Sequence, residues 1–393
     1  MAVRADAAPW VVVAGGFHDR GGMDRANAAL VRHLLDAGTP VHLVGHEIDR
    51  GFVAHPLTTT HVVRRPRGLP GIAERLLERA GVQVAAAVTR RTPLARVVVN
   101  GGNCRWPDIN WVHALHAAWP VRDDGAAWWS RYRNTSLKAL ARRREAAAVG
   151  QARLVIANSD ATRQGIVDRL GVSRERLRTV YLGSDPAWNV VEPTERAAAR
   201  AAIGVPASVA VVAFVGALGS DINKGFDVLW SAWQQLLARG DWDAHLVVAG
   251  DGWRRREWQR EAERATARGS VHFLGFTAKV REALAASDLL VSPVRYEAYG
   301  LNVHEALCCG LPVMVTRTAG VVERFDAAMA PALLPEAVTA SDLADRLRGW
   351  RRDLPGWRAS AASTVHRIRS RSWADMAAEI VDAAQDRPQR ISA

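Results

Sequence analysis

Short runs of apolar, mostly β-branched residues recur along the chain, separated by longer stretches whose apolar positions repeat every three to four residues. The runs fall at 10–14, 41–45, 61–63, 96–100, 109–113, 153–157 and 178–181, then at 209–215, 245–249, 271–274, 288–292 and 312–315. Helical periodicity fills stretches between them, such as 26–37, 135–150, 160–170, 226–238 and 280–286. Strands that are apolar throughout, rather than alternating, belong to parallel sheets covered on both faces. Their alternation with helices predicts an α/β protein.

The alternation lapses once, between Pro186 and Pro206, where Pro193 opens an alanine- and arginine-rich piece. That predicts a linker at 191–206 between two Rossmann-like doubly wound domains, 1–190 and 207–368, facing a central cleft. A last amphipathic segment within 369–393 predicts a C-terminal helix returning to the first domain. In open parallel sheets ligands bind beyond the carboxyl ends of the strands, so the chemistry is expected in the loops there.

A length of 393 residues suits two cores rather than one. No apolar run approaches the roughly 18 residues of a membrane-spanning helix, and the stretch at 10–14 is too short for a signal-peptide core. Cys104, Cys308 and Cys309 have neither disulfide-framework nor zinc spacing. These features predict a soluble protein of a reducing compartment, the cytoplasm. The net charge of +12 is concentrated: residues 1–190 hold 27 basic and 16 acidic side chains, the remainder 25 and 24. An anionic surface or substrate is therefore expected to meet the first half only. Arg64, Arg65, Arg67, Arg75 and Arg79 surround an apolar helix at 72–80. This helix either touches an anionic membrane or keeps its apolar stripe in the core.

The loop after the first strand, Gly15 to Gly22, has P-loop-like glycine spacing at Gly16 and Gly21, but lacks the Lys and Ser/Thr of a true P-loop. It suits close backbone approach to a ligand or a plain strand-to-helix turn. His113 closes a buried run and suits orienting a hydroxyl, transferring a proton, or a hydrogen-bonded core position. His116 is an equal candidate. Downstream of Trp119, Trp128 and Trp129 among Arg122, Arg131 and Arg133 suit sugars or a lipid headgroup, or the packing of a long loop; His116, Trp119, Trp128 and Trp129 are the candidates for a second substrate.

In the second half, Lys224 is one of only three lysines and precedes a helix, where an ammonium and backbone N–H groups can hold a diphosphate. The segment from Pro293 to Ala306 carries Glu297 before a helix and Glu305 inside it. Carboxylates at both places can accept bonds from sugar and ribose hydroxyls. The amides from Gly300 through Leu301 to Asn302 offer an anion site between them. Asn302 and Glu305 also have capping-box spacing. Asp241-Trp242-Asp243 looks like a metal-binding D-x-D but precedes a strand, and is read as a surface turn.

With these residues in place, the chain resembles the retaining GT-B fold glycosyltransferases of family 4, whose E-x7-E signature is matched by Glu297 and Glu305. Gly21-Gly22, His113, Asn158-Ser159, Gly183-Ser184, Gly250-Asp251-Gly252, Phe273-Leu274-Gly275 and Ser372-Trp373 resemble further family positions in order. The resemblance implies transfer of a sugar from a UDP- or GDP-linked donor to a carbohydrate, lipid-linked or small-molecule hydroxyl. It implies no cofactor, no bound metal and no nucleic acid, in the cytoplasm or peripherally at the inner membrane face. By this resemblance Glu297 and His113 serve catalysis. Gly21, Gly22, Lys224, Arg295, Tyr299, Gly300, Leu301, Asn302, Glu305 and Gly275 serve the donor. Ala217 stands where the family usually has a phosphate-binding arginine, and Arg295 is the expected compensation. A sugar-nucleotide epimerase, a phosphorylase and a non-catalytic nucleotide- or nucleic-acid-binding protein remain alternative readings.

Overall fold

A computed structural model describes residues 8–66, 68–119, 128–219, 222–265, 269–277 and 279–386, with the side chains of Pro70 and of residues 128–134 outside that description. Arg67, Arg122 and the side chains of Trp128, Trp129, Arg131 and Arg133, all singled out above, lie outside the described residues. The chain divides into two compact units. One holds Met1–Trp119, Tyr132–Gly183 and Ser372–Ala393; the other holds Pro120–Arg131 and Ser184–Arg371.

In the first unit the strands are β1 (Trp10–Val13), β2 (Gly16–Phe17), β3 (Val41–Gly45), β4 (Glu47–Ile48) and β5 (Thr58–Val62). β6 (Arg96–Asn100), β7 (Ile109–Val112), β8 (Leu154–Ala157) and β9 (Leu177–Thr179) follow. The helices are α1 (Gly22–Asp36), α2 (Arg50–Val53), α3 (Pro70–Arg91), α4 (Trp128–Gln151) and α5 (Asp160–Leu170). Seven strands form one parallel sheet in the order β5-β3-β1-β6-β7-β8-β9. Its order reverses at β1, between β3 and β6, so the loop after β1 opens at the switch point. The central strands are buried on both faces, which is why their residues do not alternate.

The second unit contains α6 (Pro193–Ile203), β10 (Val211–Val215), α7 (Phe226–Ala238), β11 (His245–Ala249), α8 (Arg255–Arg264), β12 (Val271–Gly275), α9 (Val280–Ala285) and β13 (Leu289–Ser292). It continues through α10 (Leu301–Cys308), β14 (Val313–Thr316), β15 (Leu333–Leu334), α11 (Ala340–Arg352) and α12 (Leu354–Arg369). Its parallel sheet runs β12-β11-β10-β13-β14-β15, placing the switch point between β10 and β13. One face of the sheet packs on α7 and α11 through Phe214, Phe226, Trp230, Trp233 and Trp350.

The stretch 191–206, expected as a linker, is instead helix α6, started by Pro193 at its first turn and stopped by Gly204 at φ 80°. It is fixed to its unit by two arginines. Arg196 and Arg200 donate to the Asp288 carboxylate (2.6 and 2.8 Å) and to carbonyls at the end of α9. The alanine-rich composition that suggested a linker is the small-residue face of this helix, with Ala199 packed against Ala285 and Ala286.

The last helix, α13 (Trp373–Gln385), belongs to the first unit and packs on α1 with Met376, Ala377 and Ile380 buried. Ser372 caps it, accepting from Asp375 N while the Asp375 side chain accepts from Ser372 N. Just before it, Gly183 runs against the chain so closely that a Cβ would lie 2.2 Å from the Ser372 carbonyl oxygen. Only glycine fits there.

Candidate active site

The residues expected to hold a donor cluster at the switch point of the second unit. From β10 the chain enters Gly216, whose N–H donates to the Ala249 carbonyl (3.0 Å). Leu218 N donates to the Asp251 carbonyl (2.9 Å). Gly250 crosses so near that a Cβ on it would sit 1.8 Å from the Gly216 oxygen. The chain then makes a 3-10 turn at Ile222–Lys224 and reaches Gly225, left-handed at φ 74°, which caps α7.

The loop after β13 is stitched to that turn. Arg295 N donates to the Asn223 carbonyl (2.8 Å), and Asn223 Nδ2 to the Tyr296 carbonyl (2.7 Å). The Arg295 guanidinium donates to both carboxylate oxygens of Asp227 (2.9 and 2.6 Å) and to the Ile222 carbonyl. Arg295 was expected to replace the arginine missing at Ala217. It is instead a structural fork, because bidentate pairing with Asp227 commits its guanidinium. Sequence reasoning missed Asp227, whose position in the first turn of α7 looks like ordinary helix-dipole complementation.

The same stitching brings Lys224 onto Glu297: the ammonium donates to Glu297 Oε2, with side chains 30% and 20% exposed. Gly300, at φ 106°, starts α10, whose first N–H groups at Leu301 and Asn302 have no intrahelical acceptor. Asn302 donates to the Val215 carbonyl (3.0 Å), pinning the helix start to the end of β10. Asn302 therefore lies inside α10, and the capping-box explanation of Glu305 does not apply. Glu305 is buried on α10.

Tyr299, expected to touch the donor, is a core residue at 2% exposure. Its hydroxyl meets His304 Nδ1 (2.8 Å), and His304 Nε2 meets Ser184 Oγ (2.8 Å). Burial pushes its ionisation well above the ordinary tyrosine range. Gly275 ends β12 in the left-handed region at φ 70°. Beyond it lies a pocket of about 250 Å³ lined by Val215, Ala217, Asp251, Phe276, Thr277 and Val280. Phe276 is 81% exposed.

In the first unit, Gly21 (φ 84°) caps α1 and Gly22 begins it. The loop before them holds a short parallel pair, β2 with β4, that no sequence pattern indicated. His18 Nε2 lies 3.8 Å from Asp24 and 3.6 Å from Glu47, and burial raises the Asp24 carboxyl. His113 follows β7, its ring 4.2 Å from that of Trp111 and its backbone oxygen accepting from Asn158 Nδ2 (2.9 Å). Burial drives its pKa down to about 3, and its Nε2 has no hydrogen-bond partner among the described residues. Such an imidazole is uncharged near neutral pH and has one donor and one acceptor nitrogen.

His116 behaves oppositely. Its Nδ1 meets Glu145 Oε1 (3.0 Å), a fully buried carboxylate that also accepts from the backbone N–H of His116 and Ala117, and the pairing raises the histidine. Trp119 stacks on His116 at 6.4 Å. A larger cavity, about 490 Å³, opens at the amino ends of β1 and β6, beside Trp10, Leu94 and Arg96. That is the end of a parallel sheet where ligands are not bound.

Among the described residues no three His, Cys, Asp or Glu side chains group as metal ligands. Asp243 is held by Arg351 (2.8 and 2.5 Å). No helix among the described residues is long and apolar enough to cross a membrane. Cys104, Cys308 and Cys309 are free and buried.

Two doubly wound units of this kind define the GT-B fold. The crystal structure of WaaG, a glycosyltransferase involved in lipopolysaccharide biosynthesis, matches at a TM-score of 0.76 with 20% identity, covering 96% of this chain and all of that one. HepE from Anabaena, solved with UDP and glucose, matches at 0.66 with 17% identity over 97% and 100%. The description "Glycosyltransferase Family 4" fits residues 20–188 and "Glycosyl transferases group 1" fits residues 209–353. The chain belongs to the family 4 glycosyltransferases.

Among curated relatives, D-inositol 3-phosphate glycosyltransferase 1 of Catenulispora acidiphila is 30% identical over 187 residues, 45% of this chain and 44% of that protein. The lipopolysaccharide glucosyltransferase WaaG of Escherichia coli is 32% identical over 132 residues, 33% and 35%. The chain thus matches less than half the length of either.

Proposed function

We propose that the protein transfers a glycosyl group from a nucleoside-diphosphate sugar to an acceptor hydroxyl with retention of anomeric configuration. The observation carrying this is the convergence of Lys224, Glu297 and the amino end of α10 at one switch point, beside the Phe276 pocket. In this reading a nucleobase stacks on Phe276, Glu305 accepts from the ribose, and Lys224 with the Leu301 and Asn302 amides takes the diphosphate. Charge building on the departing phosphate is then met by a fixed cation and helix N–H groups. Glu297 faces the positive charge developing on the sugar. The family resemblance implies that no metal is needed. His113, neutral, hydrogen-bonds a sugar or acceptor hydroxyl. UDP is the favoured nucleotide, supported by the UDP held by HepE.

The acceptor side is assigned to the first unit, and a peripheral contact with an anionic membrane is part of this reading. On α3, Ala73 and Leu77 enter the core, while Ile72 and Leu76 face outward at 45% and 37% exposure, and Leu69 and Val62 are exposed as well. Arg64, Arg65, Arg75 and Arg79 are exposed around them. The apolar stripe thus divides between core and surface rather than lying wholly in the core.

The test is a thermal-shift screen with UDP, GDP, ADP and their sugars, followed by product analysis. Stabilisation by one diphosphate, with transfer to an acceptor, is expected. Glu297→Ala keeps nucleotide binding and loses transfer. Epimer formation or phosphorolysis in place of transfer overturns the assignment.

A further inference from the structure

We infer that Glu297 also sets the preference of this site for a nucleotide sugar over the bare nucleoside diphosphate. The inference rests on the donor-site reading above and concerns the ion pair at its centre. In the structure the Lys224 ammonium pairs with Glu297. With alanine at 217, Arg295 committed to Asp227 and the nearby Arg254 paired with Glu257, Lys224 is the cation among the described residues of the two stitched loops that is held by Glu297. An incoming diphosphate must therefore compete with Glu297 for it.

What happens to the displaced carboxylate depends on the ligand. A sugar brings hydroxyl donors to Glu297, so the carboxylate exchanges an ammonium for hydroxyls. A bare nucleoside diphosphate brings none and adds its own negative charge beside a carboxylate that has lost its partner. An unpaired, partly buried charge next to a like charge is costly. The pair thus penalises the product-like ligand and spares the donor, which favours product release after transfer. The exchange leaves the backbone in place: Asn223, Arg295 and Asp227 hold both loops, and only the two side chains change partners.

The experiment is a calorimetric titration of the full chain with UDP, GDP and ADP and with their sugars, for the wild type, Glu297→Gln, Lys224→Ala and the double variant. Glu297→Gln keeps the side-chain shape and removes the charge. It is expected to bind the cognate diphosphate roughly tenfold tighter at low salt, the gain shrinking as salt is added. The nucleotide sugar, which loses its carboxylate acceptor, gains nothing. In the Lys224→Ala background the same substitution keeps only the part of the gain that comes from relieved like-charge repulsion and is smaller, because there is no ammonium left to compete for. Unchanged or weaker diphosphate binding by Glu297→Gln overturns the inference. So does an equal gain for diphosphate and sugar, or an undiminished gain without Lys224. Failure of the wild type to bind any of these nucleotides overturns the donor-site reading itself.

Discussion

Gly225 is where a single methyl group should separate the fold from the site. It caps α7 at φ 74°, and an alanine Cβ there would lie 1.9 Å from the Pro293 carbonyl oxygen. Two costs follow. A left-handed alanine costs about 1–2 kcal/mol. Relieving the overlap demands a backbone shift of about 1 Å, for roughly 1–3 kcal/mol more. That shift moves the turn that carries Lys224 on its other side. Gly240 provides the control: its φ is 78° and nothing lies within 4 Å of its would-be Cβ, so Gly240→Ala incurs the backbone cost alone.

Urea denaturation should therefore place Gly225→Ala below Gly240→Ala by roughly 1–3 kcal/mol. Calorimetric titration with the cognate nucleoside diphosphate should show a loss of about 10- to 100-fold for Gly225→Ala and none for Gly240→Ala. Equal stability of the two variants, with full nucleotide affinity at position 225, would refute the close-approach argument.

Three further outcomes are expected. Asp288→Asn should cost about 3–5 kcal/mol in urea denaturation, since it leaves the buried Arg200 without its anion; a loss below 1 kcal/mol would contradict this. Stability should fall as pH drops below about 6.5, because His42, His61, His245 and His272 are all lowered by burial and stay neutral in the folded chain while the unfolded chain takes up protons. His113, down to about 3, acts in the same sense, and the raised His116 in the opposite one. Denaturation midpoints at pH 8 and pH 5.5 measure the balance, and a higher midpoint at pH 5.5 would reverse it. The wild type should sediment with anionic but not neutral vesicles, and Ile72→Ser with Leu76→Ser should weaken this; lipid-independent behaviour removes the membrane contact.

The strand pattern of the two sheets was legible because parallel strands buried on both faces leave unbroken apolar runs. Val41–Gly45, Arg96–Asn100 and His245–Ala249 coincide with the expected runs to the residue. The two-residue strands β2, β4 and β15 were not, since a pair of residues carries no period. Helix α6 was misread because alanine and proline mark linkers and helix starts alike. Residue type singled out Lys224, Glu297 and Glu305 as candidates, and the structure pairs the first two. Partnership could not be read: that Arg295 serves Asp227, that Tyr299 serves His304, and that Glu145 lies beneath His116 are facts of three-dimensional neighbourhood between distant positions.

The placement of α13 has a consequence for biosynthesis. Its buried face against α1 completes the first unit, yet it is made last. The 188 residues from Ser184 to Arg371 separate it from the rest of that unit. At ribosomal speeds of about 5–20 residues per second, those 188 residues alone hold the docking face of α1 uncovered for on the order of 10–40 s. The contiguous stretch Ser184–Arg371 has no such delay. The amino-terminal unit is thus the later of the two to mature, and a nascent chain stalled before Ser372 carries a finished carboxyl-side unit behind an unfinished amino-side one.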